Sequence, residues 1–167
     1  TRRDLVELWD TSAEKITVLY CGVEPRFRPV TEPNTLAAVR ARYHIGDGPF
    51  VLSVSTIQPR KNYLRLIQAF AQLAPRYPDL SLVLGGGHGW KYQEILAAPE
   101  KWGIADRVRF AGFVADEDLP ALYSAASIFA YPSLYEGFGI PILEAMACGT
   151  PVMASDRSSL PEVTGVA

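Results

Sequence analysis

The sequence has 167 residues, of which 49% are hydrophobic and 20% charged, a composition that can build the core of one folded domain. Sixteen basic against eighteen acidic residues give a net charge of −2, which offers no electrostatic reason to expect nucleic acid as a partner. No apolar run reaches the roughly 18 residues of a membrane span, and Cys21 and Cys148 form no zinc or redox motif, so we expect a cytoplasmic protein.

The first 49 residues show no regular alternation of strands and helices. "RRDLVELW" (2–9) predicts a helix and "KITVLYCGVE" (15–24) a strand followed by a turn. The three prolines of "PRFRPVTEP" (25–33) are typical of an extended connector, which we interpret as an interdomain linker. "TLAAVRARYHIG" (35–46) then predicts a helix that leads into the first strand of the next unit.

From residue 50 onward, short β-rich runs alternate with helical patterns, as in βαβ units with a parallel sheet. Apolar residues recur at helical spacing over residues 62–77, behind an expected Asn62 cap. Segments 90–102 and 116–126 predict the next two crossover helices. Right-handed crossovers would give a doubly wound, Rossmann-like α/β domain. The predicted strands are residues 50–55, 80–85, 107–112, 127–132 and 151–155.

Ligands of open α/β sheets bind where the strands end, so the turns after the strands are candidate sites. After the first strand, Arg60 and Lys61 directly precede a helix, where exposed basic side chains would suit a diphosphate. A solvated basic turn has the same composition. After the second strand, "GGGHGW" (85–90) matches neither a dinucleotide fingerprint nor a P-loop, and its His88 is better explained as a loop residue than as a ligand.

Asp116 and Asp118, after the third strand, form the only Asp-x-Asp pair of the chain. This spacing could hold a metal ion bound to phosphate. Acidic residues are also favoured in the first turn of a helix by the helix dipole. The residues themselves leave both explanations open.

The stretch "LYEGFGIPILEAMACGTPV" follows the fourth strand and carries two carboxylates. Residues 141–149 predict a short helix, apolar on all sides and therefore buried, apart from Glu144. The helix dipole accounts for the position of Glu144 but not for its burial, whereas sugar hydroxyls are natural partners of an ionised acceptor. Glu136 precedes a Gly-Phe-Gly turn whose N–H groups can face an incoming oxygen. The pattern therefore predicts a ligand with hydroxyls at both ends and phosphate between them, that is, a nucleotide sugar.

"EGFGIPILEAMACGTPVMAS" closely resembles the signature of glycosyltransferase family 4, the retaining group 1 glycosyltransferases of GT-B fold, in which seven residues separate two glutamates. "VSTIQPRKNYLRLIQAF", "VRFAGFVADEDLPALYSAA" and "SSLPEV" match further motifs in the same order. "ITVLYCGVEPRFRP" resembles the family's junction between domains, with Cys21 in place of the usual Asn. The resemblance extends over nearly the whole chain.

This resemblance implies a role for each matched residue. Glu144 would accept hydrogen bonds from the ribose, Glu136 would contact the donor sugar near its reacting carbon, and Lys61 would neutralise the diphosphate. Thr56 stands in the donor site where many members have an Arg, and we interpret Arg60 as the replacement for that charge. The remaining expected donor contacts are the N–H groups of Gly137, Phe138, Gly139 and Ile140, with Phe113 and Val114 beside the nucleobase.

The implied protein is a retaining hexosyltransferase, and this chain is its carboxyl-terminal donor-binding domain (29–167), truncated at its own carboxyl end. Residues 1–28 would be a linker and the tail of a missing amino-terminal domain that binds the acceptor, so the chain alone would bind donor weakly and transfer no sugar. The resemblance implies no metal or other cofactor, which leaves Asp116 and Asp118 a capping role. A covalent intermediate on Glu136 and front-face departure remain alternatives.

The sequence does not fix the donor or acceptor. "TIQPRKN" most resembles mannosyltransferases of polysaccharide biosynthesis that use GDP-mannose, with a glycan or lipid-linked acceptor and peripheral attachment of the full-length protein to the inner membrane face. Another GT-B enzyme of sugar nucleotides, such as an epimerase or glycogen synthase, is an alternative. The second alternative is a non-catalytic nucleotide-binding module. Such a module would not need the two cations, Arg60 and Lys61, together with two carboxylates.

Overall fold

The computed structural model describes residues 2–165, and the remaining residues of the predicted domain ranges, 1 and 166–167, lie outside the described residues. The described chain forms a five-stranded parallel sheet in the order β3-β2-β1-β4-β5. All five predicted strands are confirmed, each to within one residue at either end. They are β1 (Phe50–Val54), β2 (Ser81–Gly85), β3 (Val108–Gly112), β4 (Ile128–Tyr131) and β5 (Val152–Ala154).

The helices predicted between these strands are also present. The predicted helix at 35–46 begins two residues earlier, at Pro33, because proline is well accommodated in the first turn of a helix. None of the helices within residues 2–165 is long and apolar enough to cross a membrane. The α-helices are α1 (Arg2–Trp9), α2 (Pro33–Arg42), α3 (Tyr63–Leu73), α4 (Gln93–Lys101), α5 (Leu119–Ala125), α6 (Ile140–Ala147) and α7 (Leu160–Thr164).

Apolar side chains cover both faces of the sheet, because successive residues of a strand point to opposite sides. Phe50 and Leu52 of β1 belong to a buried cluster with side chains of α2, α5 and α6. Val51, between them, belongs to a second cluster with side chains of α3 and α4. The chain order reverses between β1 and β4, the switch point at which doubly wound sheets bind ligands. The doubly wound α/β prediction is therefore confirmed.

The strand predicted at residues 15–24 is wrong. A short 3-10 turn at Ala13–Lys15 precedes a segment that pairs with none of the five strands. Most of its β-branched and aromatic side chains face solvent, and Leu19 is 85% exposed. A strand needs a neighbouring chain to satisfy its main-chain groups, and within residues 2–165 this segment has no such neighbour. The connector that follows reaches the core through Phe27.

Asn62 and Asp118 occupy the expected N-cap positions, but neither side chain forms the expected capping hydrogen bond. Asn62 precedes α3, but its φ is 61° and its side chain donates to the Pro132 carbonyl (3.1 Å) instead of receiving an N–H of the helix. Asp118 precedes α5, but its carboxylate pairs with Arg42 (2.6 Å) and accepts from the Tyr43 hydroxyl (2.7 Å). A charged partner makes a stronger hydrogen bond than a main-chain amide, which explains why Asp118 turns away from the helix.

Candidate functional site

The turns that follow β1, β2 and β3 lie side by side at the carboxyl edge of the sheet. The Ser55 N–H donates to the Gly85 carbonyl (2.9 Å), and the Gly86 N–H donates to the Gly112 carbonyl (2.6 Å). These bonds extend the ladder beyond the strands, so the loops start from fixed positions. The turn after β4 completes this edge, and it carries the first of the two carboxylates singled out in the sequence.

Glu136 is the centre of a charged cluster at this edge. Its Oε1 accepts from Lys61 Nζ (2.5 Å), Ser133 Oγ (2.6 Å) and the Tyr131 hydroxyl (3.1 Å). Its Oε2 lies 3.0 Å from Arg60 Nη1. The pairing of β1 with β4 brings these groups together across more than 70 residues of chain. The structure therefore joins the three residues to which the sequence assigned catalytic roles.

The prediction that Arg60 and Lys61 are both exposed is wrong for Lys61. The Lys61 side chain is only 9% exposed, whereas Arg60 is 39% exposed and also donates to the Tyr135 carbonyl. Lys61 turns inward because Glu136 and the Tyr131 hydroxyl, which accepts from its Nζ at 3.0 Å, provide polar partners there. The basic pair thus consists of a buried cation and a partly exposed one.

The electrostatics of the cluster fix the ionisation of its members. Burial raises the pKa of the Glu136 carboxyl, but hydrogen bonds from Lys61, Ser133 and Arg60 and the charge of Lys61 outweigh it, so the pKa lies below its usual value. Burial and the neighbouring Glu136 charge raise the pKa of the Tyr131 hydroxyl. At neutral pH Glu136 is therefore ionised and Tyr131 keeps its proton.

The Gly-Phe-Gly turn after Glu136 is held by hydroxyl groups of the segment before α7. Ser159 Oγ donates to the carbonyls of Glu136 (3.0 Å) and Phe138 (2.9 Å), and Ser158 Oγ accepts from the Glu136 N–H (2.9 Å). No hydrogen bond within residues 2–165 is donated by the N–H groups of residues 137–139. Because α6 begins at Ile140, these donors lie at the positive end of a helix.

We expect Gly139→Ala to lower the free energy of unfolding by about 2 kcal/mol, because this residue has a φ of 113°, which side-chain-bearing residues rarely adopt. An added Cβ would also lie 2.8 Å from Leu160 Cδ2. Gly137→Ala is the matched control, since a Cβ there meets nothing within 4 Å. Urea unfolding of both variants measures the difference, and equal stabilities would contradict the assignment of strain to Gly139.

Helix α6 is buried on one side only, so the prediction of burial all round is wrong. Ile142 and Ala145 face the core, whereas Ile140 and Met146 are exposed. Glu144 lies between these two sides and is half-buried, and its Oε2 accepts from the Tyr123 hydroxyl (2.9 Å) of α5. The carboxylate is therefore accessible at one side and supported by a single protein hydroxyl at the other.

The pKa of Glu144 is shifted in the opposite direction from that of Glu136. Burial raises the pKa of the Glu144 carboxyl, and the nearby charges of Asp116 and Glu24 raise it further. The Tyr123 hydrogen bond and the charge of Arg26 lower it, but do not cancel the increase. The two glutamates of the motif thus stand in different surroundings, one among cations and the other among carboxylates.

The remaining predicted donor residues occupy different positions at this edge. Phe113 is 77% exposed directly after β3, but the Val114 side chain is buried in the core, which leaves only its main chain for a ligand. Thr56 is exposed after β1 and lies close to Gly89. The exposed His88 stacks on Tyr92 with ring centroids 4.3 Å apart. Within residues 2–165, no three His, Cys, Asp or Glu side chains are grouped to hold a metal ion.

Sequence reasoning missed three hydroxyl groups of the site. Tyr131, the last residue of β4, and Ser133, in the turn that follows, support Glu136 at a strand end, the kind of position already recognised as a candidate site. Tyr123 supports Glu144 from a helix of otherwise small and apolar residues. A buried tyrosine needs a partner for its hydroxyl, and this is the signal that could have indicated its role.

The parallel five-stranded sheet with a charged cluster at its switch point defines a Rossmann-like domain, and solved structures of GT-B glycosyltransferases share this fold. Residues 38–166 match the family model described as glycosyl transferases group 1. The chain therefore belongs to the group 1 glycosyl transferases, as its motifs indicate.

Two curated relatives are mannosyltransferases. The chain is 40% identical over 170 residues to O-antigen chain mannosyltransferase B of Escherichia coli, which covers 99% of this chain and 43% of that protein. It is 38% identical over 144 residues to a GDP-mannose-dependent α-(1-6)-phosphatidylinositol monomannoside mannosyltransferase of Mycolicibacterium smegmatis, which covers 82% of this chain and 37% of the relative. The chain thus spans less than half the length of these relatives.

Two solved structures share the fold over almost the whole chain. HepE of Anabaena, crystallised with UDP and glucose, superposes with a TM-score of 0.81 at 30% identity and covers 93% of this chain and 42% of its own. WaaG, a glycosyltransferase of lipopolysaccharide biosynthesis, superposes with a TM-score of 0.83 at 26% identity, covering 96% and 43%. The domain resembles roughly two fifths of each larger protein.

Proposed function

We propose that this chain is the donor-binding part of a retaining glycosyltransferase that transfers mannose from GDP-mannose to a glycan or lipid-linked acceptor. The observation that carries the proposal is the cluster at the switch point. It contains Glu136, two cations on that carboxylate, and the N–H groups of residues 137–139 beside it. The turns after β1 and β4 thus bring positive charge, a carboxylate and main-chain donors together at one edge of the sheet.

The leaving diphosphate is the charge that such a reaction must stabilise. In the proposed complex, Lys61 and Arg60 neutralise it, and the N–H groups at the start of α6 donate to its oxygens. Glu136 then lies next to the same phosphates and, through them, next to the reacting carbon of the sugar. These protein groups provide the stabilisation in our proposal, and we assign no metal ion to the site.

The nucleoside would extend from the diphosphate along α6. Glu144 lies within α6, eight residues after Glu136 in the chain. Its accessible carboxylate can accept hydrogen bonds from both ribose hydroxyls. The exposed ring of Phe113 after β3 would lie beside the base, with the main chain of Val114. Thr56 is placed at the sugar and phosphate end, after β1.

The proposal of mannose and guanine rests on the relatives rather than on the site. The names of two relatives specify mannose, and one of them specifies GDP-mannose. A structure of similar fold binds UDP and glucose, so the architecture itself accommodates more than one base. The base and the sugar must therefore be tested separately.

The acceptor side is proposed to lie outside the matched domain. The relatives are more than twice as long as this chain. A region like the part of each relative that this chain does not match could bind the glycan or lipid-linked acceptor. In this view residues 1–28 belong to the connection between the two parts, and residue 29 onward to the donor domain. A cytoplasmic protein attached peripherally to the membrane would meet such acceptors.

We expect GDP and GDP-mannose to raise the melting temperature of the protein, since a ligand that binds the native state stabilises it. Glu144→Gln keeps the shape of the side chain but removes its charge, and should weaken binding by about 1 to 3 kcal/mol, the scale of a charged hydrogen bond. Glu100→Gln, at an exposed position of α4, is the matched control. Thermal unfolding with GDP, UDP and their mannose and glucose derivatives measures the first effect, and titration calorimetry with the same ligands measures the second.

Two results would contradict the proposal. No response to any of these nucleotides would favour a non-catalytic protein, and unchanged affinity in a folded Glu144→Gln variant would remove its assignment to the ribose. Interconversion of the free sugar nucleotides without an acceptor would instead indicate an epimerase. Binding should also weaken as salt is added, because charged groups dominate the contact.

A further inference from the structure

Arg26 joins the connector to the loop that follows β3. Its Nε lies 3.0 Å from Glu24 Oε2, and its Nη2 donates to Glu24 Oε1 (3.2 Å). Its Nη1 donates to the main-chain carbonyl of Asp116 (3.1 Å). The planar guanidinium therefore uses both of its sides, one for the connector and one for the loop before α5.

The same side chain lies over the aromatic pair that supports Glu144. The Arg26 guanidinium is 4.9 Å from the centroid of the Phe27 ring, and Phe27 is buried against Tyr123 at a centroid distance of 6.2 Å. The Tyr123 hydroxyl donates to Glu144. A continuous set of contacts thus leads from Arg26 to the carboxylate that we assign to the ribose.

The groups that act on Glu144 are mostly negative. Asp116 faces it from the loop before α5 and Glu24 from the connector, while Tyr123 contributes a neutral hydroxyl and Arg26 the positive charge. Directly after α6, Cys148 lies within electrostatic range of Glu144. Without Arg26, three carboxylates would share this region and lose this compensating charge.

We propose that Arg26 is a positioning residue of the nucleoside site, which holds the Asp116 loop against the connector and packs over the aromatic pair that supports Glu144 while the ribose binds. The inference rests on the proposed function, because it takes Glu144 as the ribose acceptor. Arg26 itself need not touch the ligand. Its effect is that Glu144 presents two accepting oxygens to two hydroxyls, which a protonated carboxyl cannot do.

This role predicts a pH dependence with a defined sign. Protonation of Glu144 should weaken nucleotide binding as the pH falls. Arg26 lowers the pKa of Glu144, so its removal should raise that pKa and move the loss of binding to higher pH. Asp116 raises the same pKa, so its neutralisation should move the loss to lower pH.

The test is the affinity for GDP-mannose measured from about pH 4, near the ordinary pKa of a glutamate, up to about pH 8, because the pKa of Glu144 is shifted upward. GDP-mannose is used because its phosphates are esterified and lack the ionisation near pH 6 of a terminal phosphate. Arg26→Gln should bind about tenfold more weakly than the unchanged protein at the acid end, and within about threefold of it at the alkaline end, the scale of one nearby charge at partial exposure. Arg26→Lys should restore most of the profile.

Two further variants separate this role from a structural one. Arg42→Gln removes an arginine that is paired with Asp118 instead, and should leave the profile unchanged. Asp116→Asn changes an exposed side chain, leaves the main-chain carbonyl that receives Arg26, and should shift the profile in the opposite direction. It keeps the test valid if Arg26→Gln does not fold.

A parallel loss of affinity at every pH in Arg26→Gln, or no shift in Asp116→Asn, would overturn the inference. The proposed function fails separately, through absence of binding in the unchanged protein or through normal binding by Glu144→Gln. If Glu144→Gln weakens binding and neither Arg26→Gln nor Asp116→Asn alters the pH profile, only the role of Arg26 is wrong.

Discussion

Replacing Lys61 with methionine is expected to lower the free energy of unfolding by about 3 kcal/mol, the lower end of the range for breaking a buried ion pair. Methionine keeps the apolar stem of the lysine but leaves the Glu136 carboxylate, only 10% exposed, without the cation 2.5 Å away. Arg60 and Ser133 still contact that carboxylate, which limits the loss. Urea unfolding at neutral pH measures the change.

Arg60→Met is the matched control. Arg60 binds the same carboxylate but is 39% exposed, so its removal should cost less than about 1 kcal/mol. The double variant Lys61→Met with Glu136→Met should recover much of the lost stability, because no buried charge is then left unpaired. A Lys61→Met protein as stable as the unchanged one would show that water reaches Glu136.

The free energy of unfolding at acid pH should depend on the same Lys61–Glu136 ion pair. Because the folded pKa of Glu136 lies below its usual value, its contribution to stability is complete above the unfolded pKa and is lost as the pH falls through the folded one. The penalty of Lys61→Met should therefore shrink at acid pH, where a protonated Glu136 no longer needs a cation. A penalty independent of pH would indicate lost packing instead.

The three inner strands, β1, β2 and β4, could be predicted from the sequence because most of their side chains are buried on both faces of the sheet. Such strands are continuous apolar runs between turn residues, and each run here is separated from the next by a helix-length segment. The segment at 15–24 has a similar composition but no neighbouring strand, and pairing is a property of the fold that composition does not encode. The same limit explains why this one predicted strand failed.

The positions of the two glutamates could be predicted, but their surroundings could not. Lys61 and Glu136 are far apart in the chain, and their contact follows from the register of β1 against β4. Burial of Lys61 depends on that contact, so a basic turn before a helix gave no sign of it. Likewise, the hydroxyl of Tyr123 meets Glu144 only because α5 packs beside α6.

Glu136→Gln is expected to tighten the binding of GDP and GDP-mannose by about tenfold, while the proposed sugar transfer, measured with this domain joined to an acceptor-binding part, falls by about 100-fold or more. Lys61 and Arg60, the proposed partners of the diphosphate, both form ion pairs with the Glu136 carboxylate in this structure. An incoming diphosphate must compete with that carboxylate for the two cations. Removing a charge about 4 Å away is worth up to about 4 kcal/mol at an effective dielectric constant near 20, and tenfold in affinity requires about a third of it.

Glu144→Gln, the same change eight residues along the motif, should have the opposite effect on affinity, because that carboxylate is proposed to accept from the ligand rather than to occupy its cations. Calorimetry of the two variants side by side with GDP therefore gives two shifts of opposite sign. The gain in Glu136→Gln should decrease at high salt, since it arises from charge. If both substitutions weaken GDP binding, then Glu136 holds Lys61 and Arg60 in place for the phosphates, and the carboxylate does not compete with the diphosphate.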